Sequence, residues 1–86
     1  LNYLILSYEG DIKNGQYEGK GILYSPDGSK FDGDFVSGKK HGQGISEYKD
    51  GSYYEGGFSE NKINGMGVYK FASKKIYSGQ FKDQRF

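Results

Sequence analysis

The feature that most limits what this chain can fold into is a period of 23 residues at which glycine and aromatic residues recur together. Tyr8-Glu9-Gly10 returns as Phe31-Asp32-Gly33, as Tyr54-Glu55-Gly56 and as Tyr77-Ser78-Gly79. Gly19 and Gly21 return as Gly42 and Gly44, then as Gly65 and Gly67. Ile12, Phe35, Phe58 and Phe81 follow two residues behind the first glycine of each unit. Gly15 keeps phase with Gly38, and Gly28 with Gly51, so of the 15 glycines only Gly57 stands outside the pattern. A flexible glycine-rich linker does not hold its glycines in register with rings, whereas a stacked repeat does. The register gives repeat one at 8–30, repeat two at 31–53 and repeat three at 54–76, with a partial fourth at 77–86. Residues 1–7 do not fit and read as a flank or a degenerate preceding repeat.

Residues two apart share one face of a strand. Tyr8, Gly10 and Ile12 therefore point one way, and Glu9 and Asp11 the other. The split repeats for Phe31, Gly33 and Phe35 against Asp32 and Asp34, and for Tyr54, Gly56 and Phe58 against Glu55. Such alternation specifies strand and excludes helix between residues 8 and 81. A second strand begins near Gly19, Gly42 or Gly65 in each unit. It carries Ile22, Ile45 and Val68 in one phase, and Tyr48 and Phe71 in another.

Turn chemistry separates the strands. Ser25-Pro26-Asp27-Gly28, Lys49-Asp50-Gly51-Ser52 and Asn14-Gly15 are hairpin signals, because glycine takes positive φ without steric cost. Asn61 stands where Gly15 and Gly38 stand, and asparagine tolerates the left-handed conformation. Ser73-Lys74-Lys75 has no glycine, and a looser turn is expected there. A glycine inside a strand weakens it unless a close approach needs the space. Here Gly10, Gly33, Gly56 and Gly79 leave a gap between two rings of the same face, which a neighbouring ring can enter. One hairpin cannot bury its apolar face alone, so the units must stack. The fold expected is all-β: an elongated, twisted single antiparallel sheet, a meander of about seven strands built from 23-residue hairpins.

Composition narrows the functions. The chain has 86 residues, enough for one small domain or part of one. Tyr and Phe together make up 17 % of it, against the aromatic-poor composition of disordered chains. A formal net charge of +1 gives no excess of cations for counterion release, so nucleic acid is not an expected partner. Cysteine is absent, which removes disulfides and thiolate metal sites and fits a reducing compartment. No apolar run is long enough to span a bilayer as a helix. No signal peptide pattern is present, and the start at Leu1 reads as a fragment or processed chain.

The unit Tyr-x-Gly-x-aromatic, then Gly, then Gly-x-Gly, then Asp-Gly, resembles the membrane occupation and recognition nexus (MORN) repeat. Repeat two carries it most fully, as Phe31-Asp32-Gly33-Asp34-Phe35-Val36-Ser37-Gly38-Lys39-Lys40-His41-Gly42-Gln43-Gly44. The resemblance covers about residues 8 to 86. Departures are Ile12 and three Phe where the family favours Trp, Asn61 and Gln84 in place of the turn glycine, and Lys74 in place of the late one. It implies a single sheet of hairpins with an aromatic groove. It also implies a place in a larger cytoplasmic protein of the cytoskeleton, cilia or membrane junctions, or beside a lipid kinase or methyltransferase domain. Gly10, Gly19, Gly21, Gly33, Gly42, Gly44, Gly56, Gly65, Gly67 and Gly79 are then structural.

Motifs of other chemistries fail on inspection. Gly33 through Lys39 spells most of a phosphate-binding loop, but Lys40 follows where Ser or Thr is needed and no helix is expected. The carboxylates between Asp27 and Asp34 lack EF-hand order. His41 is the only histidine and has no nucleophile pattern beside it. No catalytic residue, cofactor or metal is therefore expected.

The leading expectation is a non-catalytic interaction scaffold. Its groove is lined by Tyr8, Ile12, Phe31, Phe35, Tyr54, Phe58, Tyr77 and Phe81. It takes a peptide or helix of a protein partner, or another domain of the parent chain. Glu9, Asp32 and Glu55 fall on the opposite face. A partner is expected to cover Phe35 and Phe58, because an exposed apolar face is a liability otherwise. The alternative is weak peripheral contact with anionic phospholipid through Lys39, Lys40 and His41, the one basic cluster.

Overall fold

The computed structural model describes residues 7–82. Residues 1–6 of the N-terminal flank and 83–86 of the partial fourth repeat, Gln84 among them, lie outside the described part. The described residues form seven strands and no helix. These are β1 (Ser7–Lys13), β2 (Gln16–Tyr24), β3 (Lys30–Val36), β4 (Lys39–Glu47), β5 (Tyr53–Ser59), β6 (Lys62–Lys70) and β7 (Ile76–Phe81). They pair antiparallel in chain order as one open sheet, the meander expected from the alternation. The body is a slab of 37 × 30 × 16 Å.

The register explains how one sheet can bury rings. Gly10 faces Gly21, Gly21 faces Gly33, and so on through Gly44, Gly56, Gly67 and Gly79. One uninterrupted row of glycine thus crosses all seven strands. The row beside it on the same face is Tyr8, Leu23, Phe31, Ser46, Tyr54, Tyr69 and Tyr77. Rings of that row lie down across the glycines. A Cβ on Gly21 or Gly67 would meet the ring of Tyr8 or Tyr54, and one on Gly44 the ring of Phe31. Three of the rings are tied in place at their tips. Tyr8, Tyr54 and Tyr77 each donate from the phenol oxygen to a backbone carbonyl three residues on, of Asp11, Gly57 and Gln80, at 2.8–3.0 Å.

Each hairpin contains one irregularity, between Gly10 and Ile12, Gly33 and Phe35, and Gly56 and Phe58. The shift leaves the alternation of faces intact. Ile12 pairs with Tyr17, Phe35 with Lys40 and Phe58 with Ile63, all on the ring side. The tight turns all place two residues at positive φ: Asn14 and Gly15, Ser37 and Gly38, Glu60 and Asn61. This is the geometry that matches the twist of a two-residue hairpin. The turns also join the units. Gly38 N donates to Tyr17 O at 2.9 Å and Asn61 N to Lys40 O at 3.0 Å, while Lys40 N donates to Asn61 Oδ1 at 2.9 Å.

The turn at Ser73-Lys74-Lys75 departs from expectation, since it is not looser. Lys74 N donates to Phe71 O and Phe71 N to Lys75 O, both at 2.8 Å. The same pair of bonds closes the turns at Gly28 and Gly51. Lys74 reaches this geometry by adopting φ 78°. The backbone bonds enforce the left-handed conformation that glycine adopts freely.

Two stability predictions follow from this backbone. A Cβ on Gly33 would lie 2.5 Å from Gln43 O, 2.5 Å from Gly44 Cα and 2.8 Å from Phe31 Cζ. Backbone on two sides leaves it no room, so Gly33→Ala should cost about 1–3 kcal/mol. Lys39→Ala, at an exposed ion pair, should cost about 1 kcal/mol or less. Equal urea midpoints for the two variants would contradict this. Lys74→Gly should stabilise by roughly 0.5–1 kcal/mol through relief of the left-handed side chain, less the entropy glycine adds to the unfolded state. A lower melting temperature for Lys74→Gly would show that the turn carries no such strain.

Candidate functional site

The rings of the two phases form one continuous zigzag. Tyr8 meets Phe35, Phe35 meets Phe31, Phe31 meets Phe58, Phe58 meets Tyr54, Tyr54 meets Phe81, and Phe81 meets Tyr77. Every contact is edge to face, with centroids 4.9–5.4 Å apart and planes 80–89° apart. That arrangement suits the ring quadrupole and contributes about 0.5–1.5 kcal/mol per pair beyond area burial.

The zigzag corrects the expected groove. Phe35 is 2 % exposed and Phe58 6 %, while Phe31, Tyr54 and Phe81 are as deeply buried. These five rings are core, covered by the chain itself because the glycine row lets them interlock. Ile12 is the opposite case and is 63 % exposed. Its counterparts Phe35 and Phe58 each pack on a ring of the unit before, and β1 is an edge strand among the described residues. Of the eight residues assigned to the groove, only Tyr8 and Tyr77 are half-buried, as a docking surface requires.

The reachable part of the ring face is a rim that the sequence reading missed. Tyr17 stacks on Tyr8 with centroids 3.8 Å apart. Tyr48 stacks on Tyr69, which also touches Phe71 and Tyr54. Leu23, Tyr17, Tyr48 and Tyr69 all pack half-buried against the core. Burial pushes the Tyr48 and Tyr54 phenols above their ordinary value. Hairpin parity was the available signal. A two-residue turn at Asn14-Gly15 places Tyr17 opposite Ile12, and the β6–β7 pairing places Tyr69 opposite Tyr77.

The basic cluster does not form one surface. Lys39 Nζ bonds Glu60 Oε1 at 3.0 Å, and His41 Nδ1 lies 3.8 Å from Glu60 Oε2. Lys40 points to the other face, where its Nζ sits 5.1 Å from the centre of the Phe31 ring. Adjacent residues on a strand alternate sides, so three consecutive basic residues cannot share one.

Glu9, Asp32 and Glu55 lie on the face opposite the rings, in a row with Ile22, Ile45 and Val68. A shallow depression of about 250 Å³ opens there, lined by Lys20, Asp32, Gln43, Ile45, Glu55 and the backbones of three glycines of the row. Asp34 is its anchored neighbour. Asp34 Oδ1 pairs with Lys20 Nζ at 2.6 Å, and Asp34 Oδ2 accepts the backbone N–H of Gln43 at 3.0 Å. Among the described residues no group of three or more His, Cys, Asp or Glu is placed to hold a metal.

Comparison with known families finds the MORN repeat, whose model matches residues 8–30, 31–53 and 54–75. No curated protein matches the chain.

The hydrogen bonds from Lys20 and Gln43 hold the Asp34 carboxyl below its ordinary value. A carboxyl lowered in this way stabilises the fold above its unfolded value, near pH 4, and the contribution is lost as pH falls through the folded value. Asp34→Asn should therefore be less stable than the parent at pH 7 and should show a shallower loss below pH 4. Denaturant titrations between pH 2 and 7 check this. Parallel curves would remove Asp34 from the acid response.

Proposed function

The chain belongs to the MORN repeat family, and on that premise we propose that it is a non-catalytic interaction module that docks a protein segment, or another domain of its parent chain, on the ring-bearing face. The observation that carries this is the sidedness of the sheet. One face presents a rim of half-buried aromatic residues, Tyr8, Tyr17, Tyr48, Tyr69 and Tyr77, over a core that needs no further cover. Tyrosine suits such a rim. It offers a large rigid contact at low entropy cost, with a hydroxyl at the edge for a hydrogen bond. The opposite face mixes carboxylates and lysines with singly exposed Tyr24, Val36, Ile45, Met66 and Ile76, and has no packed aromatic core beneath them.

Anionic lipid is the weaker reading. It was motivated by Lys39, Lys40 and His41 acting together, and a membrane surface rewards several cations presented on one side. Here Glu60 engages two of them and the third lies on the ring face.

The test uses rim residues, because replacing the buried rings would unfold the sheet. Tyr17→Ser with Tyr48→Ser should keep a folded β signal and a cooperative melt, yet lose partner capture in pull-downs from cell extract. Asp32→Asn with Glu55→Gln should capture what the parent captures. Retained capture by the folded rim variant would move the interface off the ring face.

A further inference from the structure

The ring face carries no strand carboxylate. Its strand positions hold glycine, aromatic and aliphatic residues, one serine, and a single charged residue, Lys40. Every strand carboxylate points to the other side, along with the remaining strand lysines. Lys40 is on β4, the middle strand, near the Ser37-Gly38 turn and opposite Phe35. The corresponding positions in the neighbouring units are Tyr17 and the buried Ile63. The ammonium is half-buried over Phe31, and no carboxylate lies within ion-pair distance of it among the described residues. Burial without a counter-charge holds its pKa below the ordinary lysine value. The ring quadrupole compensates only part of the lost hydration.

We propose that the segment docking on the ring face carries a carboxylate side chain that pairs with Lys40, flanked by apolar side chains that seat on the tyrosine rim. This rests on the ring face being the docking face and specifies the chemistry of its occupant. Charge complementarity selects an acidic partner, because the strand positions of the face offer one cation and no anion. Its single-point character selects a side chain over a membrane. A lipid surface is recognised by several cations side by side, and here one ammonium is framed by rings. A charge-assisted hydrogen bond to a partly desolvated lysine is strong, and it fixes the register of a segment lying across seven strands. A lysine or arginine brought to the same point would meet an uncompensated like charge and be rejected.

The test uses capped nine-residue peptides on one frame of Leu and Phe with Ser spacers, differing only at the central residue: Glu, Gln or Lys. Binding to the folded chain is followed by NMR shifts of Tyr17, Lys40 and Tyr48. The Glu peptide should bind about tenfold tighter than the Gln peptide, and the Lys peptide weakest. Lys40→Met keeps the apolar stem and should erase the preference while the Gln peptide binds as before. Lys39→Met, on the other face, should leave the preference intact. Equal affinities for Glu and Gln on the parent chain, or a preference that survives Lys40→Met, would overturn the pairing and leave ring-face docking standing. If none of the peptides shifts ring-face residues, docking on that face fails and the pairing falls with it.

Discussion

Everything in this structure depends on rings lying flat on a single sheet, and that is possible only where the sheet has no side chains to hold them off. The glycine row supplies the bare strip. A Cβ at Gly33 would strike backbone 2.5 Å away, and Cβ atoms at Gly21, Gly44 and Gly67 would strike rings. With the strip clear, rings from the row beside it fold across, and Phe35, Phe58 and Phe81 slot between them edge to face. A second layer is usually needed to bury the apolar face of a sheet. Here aromatic side chains serve as that layer, within a slab 16 Å thick.

This arrangement separates stability from binding in a way a list of aromatic residues does not. The rings that interlock, Phe31, Phe35, Tyr54, Phe58 and Phe81, are removed from solvent by their own neighbours. The rings on the margins, Tyr8, Tyr17, Tyr48, Tyr69 and Tyr77, pack on that core and keep an open side. The family's aromatic groove is in this chain a covered floor with an accessible rim. Variants in the floor report on folding, whereas variants in the rim leave the interlocked rings in place.

The repeat, the strand alternation, the face occupied by Glu9, Asp32 and Glu55, and the turns were legible because each depends on a local rule with a period of its own. Burial was not. Whether Phe35 is covered depends on contacts with Tyr8, 27 residues earlier, and with Phe31, whose direction the glycine row decides. The basic cluster is not legible from composition, because strand alternation divides it between two faces. Lys39, Lys40 and His41 look like one patch in a string of letters and occupy two sides of a strand. Lys74 was misread for a related reason. Propensity disfavours its φ of 78°, but two backbone hydrogen bonds shared with its sister turns override propensity.

Lys40 stands out against a structural background that the repeat itself supplies. Every unit solves the same packing problem, so a residue that departs from the solution can be compared with its own counterparts. At this position repeat three places Ile63, 5 % exposed, and the fold closes around it with the equivalent pairing to Phe58. The packing therefore has no need of a charge there. A lysine at the site loses part of its hydration and finds only a ring face in return, an arrangement that costs folding energy relative to an aliphatic side chain. Among the described residues no carboxylate lies within ion-pair distance of Lys40 to recover that cost, and the strand carboxylates are on the far side of the sheet. On the proposed pairing, a carboxylate brought to the ring face from outside would offset that cost, because its charge and hydrogen-bonding capacity match a partly dry ammonium.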